Sequence, residues 1–185
     1  MHVFILCGGK GTRLADISNG KQKCSLEIND KPFLIHLIIN IAKYFPIKSI
    51  CLCVGHSADD ITSINFDKYL NKSIEVNFSI ETKELGTGGA LKHAIKENTN
   101  YDELMICNGD SICSISNIHN DYLRLSKKEY AGIIATAFSS KTDRYGSLKV
   151  DEKNRIVGFA EKSLMTSTGI INAGIYIIRK GILVK

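Results

Sequence analysis

The chain opens with the stretch Val3-Phe4-Ile5-Leu6-Cys7-Gly8-Gly9-Lys10-Gly11-Thr12-Arg13-Leu14, in which an apolar run breaks into three glycines and two cations. The apolar run predicts a buried β-strand. Glycines after a strand let backbone N–H groups turn toward a ligand that no Cβ obstructs. Because Lys10 and Arg13 add positive charge, the stretch indicates a loop that binds phosphates. A plain turn seldom combines so many glycines and cations.

Two common phosphate-binding motifs do not fit this loop. A Walker loop requires Gly-Lys-Ser/Thr at a fixed distance from its first glycine, and the loop has no such triplet. A dinucleotide fingerprint requires Gly or Ala where Leu14 stands, with a helix following at once. A polar stretch over 15–20 follows instead, so a Rossmann dehydrogenase is disfavoured.

The rest of the chain alternates apolar runs with stretches of helical period. Strands are predicted over 2–7, 49–54, 74–80 and 103–107, and helices over 32–45, 57–70, 87–97 and 118–127. Ser57 is expected to cap the second of these helices. Further strands are predicted over 132–138, 147–150, 155–159 and 170–178, the middle two as a hairpin. The pattern predicts a Rossmann-like, three-layer α/β/α fold whose mostly parallel sheet carries a small antiparallel patch.

The composition favours a compact cytoplasmic protein. Its 185 residues are 44% apolar, which suits one domain with a substantial core. The six cysteines lack metal-binding spacing and predict thiols in a reducing compartment. No apolar window approaches the ~20 residues of a membrane span, and no signal peptide is expected. The net charge of +5 is spread along the chain, which indicates small anionic substrates rather than nucleic acid.

A second motif, Asn108-Gly109-Asp110, directly follows an apolar strand. Ligands of open α/β sheets bind beyond the carboxyl ends of strands, which is where Asp110 is expected to stand. A carboxylate there can bind Mg²⁺ that also contacts substrate phosphates. An ordinary tight turn would explain the same three residues, but their position downstream of the glycine loop favours the metal.

The opening loop resembles the signature of the sugar-1-phosphate nucleotidyltransferases, Leu-Ala-Gly-Gly-x-Gly-Thr-Arg-Leu. Among these enzymes the chain is most similar to the guanylyltransferases that act on heptose 1-phosphate and mannose 1-phosphate. The resemblance implies that the nucleotide is bound by Leu6, Gly8, Gly9, Gly11, Thr12 and Arg13. A Pro-Lys-Pro follows in the family, and its phosphate-binding lysine matches Lys23 in Gln22-Lys23-Cys24, although Lys21 lies nearby.

The segment 81–91 resembles the part of the family that recognises the base. The resemblance places Glu81, Gly86 and Thr87 at the nucleotide, with the Glu81 side chain toward the base. A carboxylate can accept hydrogen bonds from guanine N1–H and N2–H₂ together, so GTP is expected. Uracil also has a ring N–H, which leaves UTP as an alternative. The aspartate of this Asn-Gly-Asp is a metal ligand in the same family, which implies that Asp110 binds Mg²⁺.

Three shorter pieces, 144–146, 159–162 and 171–176, resemble the sugar-phosphate half of the family. The resemblance implies that Gly146, Glu161 and Asn172 hold sugar hydroxyls. It also implies that Lys162 binds the phosphate of the sugar. Residues 1–110 would then form the nucleotide-binding half, and 111–185 the sugar-phosphate half, of one nucleotidyltransferase domain.

The implied reaction is attack by a sugar-1-phosphate oxygen on the α-phosphorus of a nucleoside triphosphate, with release of pyrophosphate. Arg13, Lys23 and Lys162 are the predicted catalytic cations, and the product is a nucleotide sugar of the kind used for lipopolysaccharide or capsule. The family's second metal-binding aspartate, in an Asp-x-Gly-Thr segment, has no counterpart up to Lys185. Two alternatives therefore stay open: UTP- or CTP-dependent transfer to another phosphorylated acceptor, and nucleotide binding without catalysis. The sequence does not decide between a monomer and a homodimer.

Overall fold

The computed structural model describes residues 1–9, 20–97, 101–125, 130–142, 146–160 and 168–179. Its strands are β1 His2–Leu6, β2 Glu27–Ile28, β3 Lys31–Pro32, β4 Ser49–Val54, β5 Glu75–Ile80, β6 Glu103–Asn108, β7 Gly132–Ser139, β8 Ser147–Val150, β9 Ile156–Ala160 and β10 Gly169–Arg179. Its α-helices are α1 Phe33–Ala42, α2 Asp59–Thr62, α3 Gly86–Glu97 and α4 Ile115–Leu125. Two 3₁₀ turns span Lys23–Ser25 and Phe66–Lys68.

The main sheet joins a parallel half to an antiparallel half. Its strands lie in the order β5-β4-β1-β6-β10-β8-β9, and β7 pairs with β10 outside that path. Strands β5, β4, β1 and β6 are parallel to one another. Strand β10 is antiparallel to β6, β7 and β8, and β8 is antiparallel to β9. The α/β fold with an antiparallel patch is therefore confirmed.

Helices cover both faces of the parallel half. Alternate side chains of a strand point to opposite faces, so Val3 and Ile5 pack with α1 and α4 on one side. Phe4 packs with α3 on the other side. Strands buried on both faces read as continuous apolar runs. This burial produces the predicted three layers and explains why the sequence located these strands.

The helix predicted over 57–70 is wrong. Ser57 has a φ of 54° and is not a helix cap. The helix spans only Asp59–Thr62, its preceding residue Ala58 makes no side-chain capping bond, and a 3₁₀ turn follows. Ile61 and Phe66 are both buried, yet a continuous helix would turn residues at this spacing about 140° apart. The helix breaks between them, and both side chains reach the core.

The other predicted elements are confirmed with shifts at their ends. Helix α1 begins at Phe33, directly after Pro32, and ends at Ala42 rather than at Phe45. Helix α4 begins at Ile115 instead of Ile118, and its expected end at 127 lies outside the described residues. In the described part of the chain, no helix is both long and apolar enough to cross a membrane.

Candidate functional site

A cleft of about 300 Å³ opens at the carboxyl ends of β1, β4 and β6, beside the first turn of α3. Carboxyl ends of parallel strands meet at one edge of a sheet, where open α/β folds bind ligands. Six residues expected at the nucleotide line this cleft: Leu6, Gly8, Gly9, Glu81, Gly86 and Thr87. Lys23 and Asp110 line it as well. The fold thus gathers residues that are scattered through the first 110 positions.

Other predicted site residues lie elsewhere. Gly11, Thr12 and Arg13 fall in 10–19, outside the described residues, and Glu161 and Lys162 fall outside them in 161–167. Gly146 and Asn172 are described, but they do not line this cleft. These two contact each other, since the Asn172 backbone N–H donates to the Gly146 carbonyl at 3.1 Å.

Lys23 and Asp110 form an ion pair at the cleft. Lys23 Nζ lies 3.4 Å from Asp110 Oδ2, with the two side chains 20% and 49% exposed. Ion pairs this open to solvent contribute at most about 1 kcal/mol. Both groups can therefore take other partners when a ligand arrives, the ammonium a phosphate and the carboxylate a cation. Of the three carboxylates that line the cleft, Asp110 thus has a cation directly beside it.

Gln22 holds the turn that carries Lys23. Its buried side-chain amide donates to the carbonyls of Cys7, at 2.6 Å, and His56, at 3.2 Å. The amide oxygen accepts from the Lys23 backbone N–H at 2.9 Å. The Gln22 backbone N–H donates to Asp60 Oδ2 at 2.7 Å. These bonds tie the turn to the ends of β1 and β4, at the position where the resembled family has its first proline.

Gly109 lets Asp110 stand close to the floor of the cleft. A Cβ at Gly109 would lie 2.8 Å from Cys24 Sγ, 2.9 Å from Cys7 Sγ and 2.9 Å from the Leu6 carbonyl oxygen. The Gly109 N–H donates to that carbonyl at 3.0 Å. A side-chain hydrogen bond to Cys24, together with burial, raises the pKa of the Cys7 thiol. Cys7 therefore serves as packing rather than as a nucleophile.

Glu81 organises the entry to α3. Its backbone N–H donates to the Val54 carbonyl at 2.9 Å, which fixes it at the end of β5 beside β4. Its Oε2 accepts from the Leu85 backbone N–H at 3.3 Å and closes the turn 81–85. Gly86 and Thr87 follow as the first turn of α3, where the partial positive charge of the helix favours anions. The turn thus brings an acceptor and a helix N-terminus to one cleft.

Asn172 is oriented by its neighbours on β10. Its Nδ2 donates to the Tyr176 hydroxyl at 2.7 Å. Its Oδ1 accepts from the Gly174 backbone N–H at 2.9 Å, which fixes the orientation of the amide. The amide nitrogen carries a second hydrogen, which can donate to a ligand oxygen.

Sequence reasoning did not single out Gln22, Asp60 or Tyr176. Gln22 meets His56 and Asp60, which lie 34 and 38 positions along the chain. A short sequence motif cannot reveal contacts between residues that lie so far apart along the chain. Asn172 and Tyr176 stand four positions apart on β10, and the shift of register against β7 between them accompanies their contact.

Comparisons with known proteins agree with this arrangement. A model of the family described as nucleotidyl transferase matches residues 2–185. The chain is 37% identical over 182 residues to D-glycero-α-D-manno-heptose 1-phosphate guanylyltransferase of Campylobacter jejuni, with 98% of this chain and 77% of that protein covered. It is 31% identical over 182 residues to the enzyme of the same name from Aneurinibacillus thermoaerophilus, with 98% and 76% covered.

Among solved structures, the chain is similar to HddC from Yersinia pseudotuberculosis complexed with GMP-PN. The TM-score is 0.79 at 33% sequence identity, and the match covers 98% of this chain and 78% of that one. The similarity therefore extends over both halves of the sheet and is not confined to the glycine loop.

Proposed function

This chain belongs to the nucleotidyl transferase family, and we propose that it transfers GMP from GTP to a sugar 1-phosphate of the heptose or mannose type. The observation that carries the proposal is a single cleft in which Glu81 can face a base while Lys23 and Asp110 face phosphates. Relatives named as heptose 1-phosphate guanylyltransferases, aligned over 98% of the chain, support the same pair of substrates.

The proposed reaction needs no nucleophile from the protein. An oxygen of the sugar phosphate forms a bond to the α-phosphorus of GTP. The bond from that phosphorus to the β-phosphate oxygen breaks, and pyrophosphate leaves with the electron pair. Catalysis then consists of positioning and charge neutralisation. Lys23 would stabilise charge on the α-phosphate, while the loop of Gly8 and Gly9 and the first turn of α3 would donate N–H groups to the nucleotide.

Asp110 fits a role as a ligand of Mg²⁺. Its carboxylate is half exposed and lies at the cleft, and Mg²⁺ is commonly held by one or two carboxylates together with phosphates and water. Among the described residues, no cluster of three or more metal-binding side chains adds to it. Bound Mg²⁺ would neutralise charge on the triphosphate. Lys23 beside the same carboxylate would help to hold Asp110 toward the cleft.

The sugar phosphate is proposed to bind on the antiparallel half. The contact between Gly146 and Asn172 supports this, because it brings a backbone carbonyl and an oriented amide to one place. We propose that Glu161 and Lys162 complete that site. The cytoplasm is the proposed location, supported by six cysteines that are all described and all thiols rather than disulfides.

The test is pyrophosphate release with Mg²⁺, crossing GTP, UTP, CTP and dTTP against heptose, mannose, glucose and N-acetylmuramate 1-phosphates. We expect turnover with GTP and a heptose or mannose 1-phosphate. Turnover confined to UTP or CTP would overturn the choice of base. A chain that binds nucleotides but turns over none of these pairs would overturn the catalytic proposal in favour of a binding protein.

A further inference from the structure

Gly55, directly after β4, leaves room for the side chain of Glu81. A Cβ built on Gly55 would lie 2.6 Å from Glu81 Oε1, 3.0 Å from its Cγ and 3.2 Å from its Cδ. Among the described glycines, positive φ values occur at 20, 86 and 174. The backbone at 55 is therefore open to other residues, and the three atoms nearest to such a Cβ all belong to Glu81.

The same carboxylate also lies against the end of β1. A Cβ on Gly8 would lie 3.1 Å from Glu81 Oε1. The other oxygen, Oε2, accepts from the Leu85 backbone N–H at 3.3 Å. The space left by Gly55 and Gly8, together with the hydrogen bond from Leu85, therefore sets the direction of the carboxylate. A Cβ at 55 would come closer to the carboxylate than a Cβ at 8.

We propose that Gly55 is a specificity-determining position that selects guanine through Glu81. Without a side chain at 55, the Glu81 carboxylate lies across the ends of β1 and β4 at the wall of the cleft. Each carboxylate oxygen can accept two hydrogen bonds, so both keep capacity for the paired N1–H and N2–H₂ of guanine. The inference rests on the proposed function, in which Glu81 meets the base.

Gly55→Ala should change selectivity without unfolding the protein. The atoms that the new methyl group would meet belong to the end of a flexible side chain rather than to the backbone. The carboxylate can turn away at low cost to stability, but it then leaves the direction set by Gly8 and Leu85. We expect the preference for GTP over ITP, which lacks the N2 amino group, to fall about tenfold.

The experiment measures the binding of GTP and ITP to the full chain by displacement of a fluorescent GTP analogue. The variants are Gly55→Ala, Glu81→Ala and the double variant. Since Gly55→Ala is proposed to act only through the carboxylate, it should reduce selectivity in the native chain and do nothing further in Glu81→Ala. Gly158→Ala is the matched control, because among the described residues a Cβ there meets only Lys149, at 3.8 Å.

Three results would overturn the inference. Gly55→Ala could keep the native preference for GTP over ITP. It could reduce that preference as much in the Glu81→Ala background as in the native chain. It could also fail to fold, which would show that the backbone moves instead of the carboxylate. In each case, a loss of selectivity in the single variant Glu81→Ala would still support guanine as the base that Glu81 contacts. A native chain that binds GTP and ITP equally would overturn the recognition of the N2 amino group by Glu81, whereas the proposed transfer of GMP is tested separately by pyrophosphate release.

Discussion

The parallel and antiparallel halves of the sheet differ in burial. In β1, Phe4 and Ile5 are 2% and 0% exposed, whereas Phe138 of β7 and Phe159 of β9 are 76% and 67% exposed. The parallel strands lie between helices on both faces, so packing on each side fixes their positions. Such strand ends can fix groups precisely enough for phosphoryl transfer, since small misplacements of reacting groups reduce rates strongly.

The two halves also differ in what they offer a ligand. The cleft of the parallel half is built from strand ends, glycines and a helix N-terminus. On β10 the interacting groups are side chains, with the Asn172 amide held by Tyr176 and by one backbone N–H. We infer that changes in the parallel half will affect the chemical step and packing, whereas changes on β10 will affect the affinity for one substrate.

The strongest test of this division is Asp110→Ala. We expect it to lower the rate of pyrophosphate release by about 1000-fold, because it removes the carboxylate proposed to hold Mg²⁺. The thermal unfolding midpoint should stay near that of the native chain, since the side chain is 49% exposed. Asp121→Ala is the matched control, an exposed carboxylate on α4 that pairs with Arg124 at 3.0 Å. If Asp110→Ala released pyrophosphate at the native rate, the catalytic site would not lie at this edge of the sheet.

Lys23→Met should have the next largest effect. Its ammonium is proposed to stabilise charge on the α-phosphate, so we expect kcat to fall about 100-fold. Lys21→Met is the control, because Lys21 is exposed and does not line the cleft. A larger loss in Lys21→Met than in Lys23→Met, measured in the same assay, would transfer the phosphate-binding role to Lys21.

The same contrast explains how much the sequence could predict. The parallel strands were predictable because burial on both faces leaves continuous apolar runs such as Val3 to Cys7. Asp110 and Glu81 could be expected at one edge because each follows a parallel strand. The early end of the helix predicted over 57–70 could not be foreseen, because it depends on Ile61 and Phe66 both reaching a core that other segments form.

The supporting contacts of the site could not be predicted for a related reason. Gln22 binds His56 and Asp60 across turns that exist only in the folded chain. The need for glycine at 55 arises from a carboxylate on the neighbouring strand end. Neither of these contacts can be seen in the residues that neighbour it along the chain.

Glycine-to-alanine changes compare the packing of the two halves directly. Gly109→Ala would place a Cβ within 3 Å of two buried thiols and a backbone carbonyl beneath the cleft. Overpacking of this kind should lower the free energy of unfolding by about 1–3 kcal/mol. In the described part of the chain, a Cβ at Gly158 on β9 meets only Lys149, at 3.8 Å, so Gly158→Ala should change the free energy of unfolding little. Urea unfolding measures both, and equal stabilities would show that the floor of the cleft is not tightly packed.

Tyr176→Phe should have the smallest effect and the most selective one. The change removes the hydroxyl that accepts from Asn172 Nδ2 at 2.7 Å but keeps the ring that packs against the core. We expect the KM for the sugar 1-phosphate to rise about threefold to tenfold, while the KM for GTP stays constant. Tyr44→Phe, an exposed tyrosine after α1, is the matched control. A merely structural role for the hydroxyl would raise both KM values together. An equal rise would therefore contradict the division between the two halves. A rise in the KM for the sugar phosphate alone would assign Asn172 to that substrate.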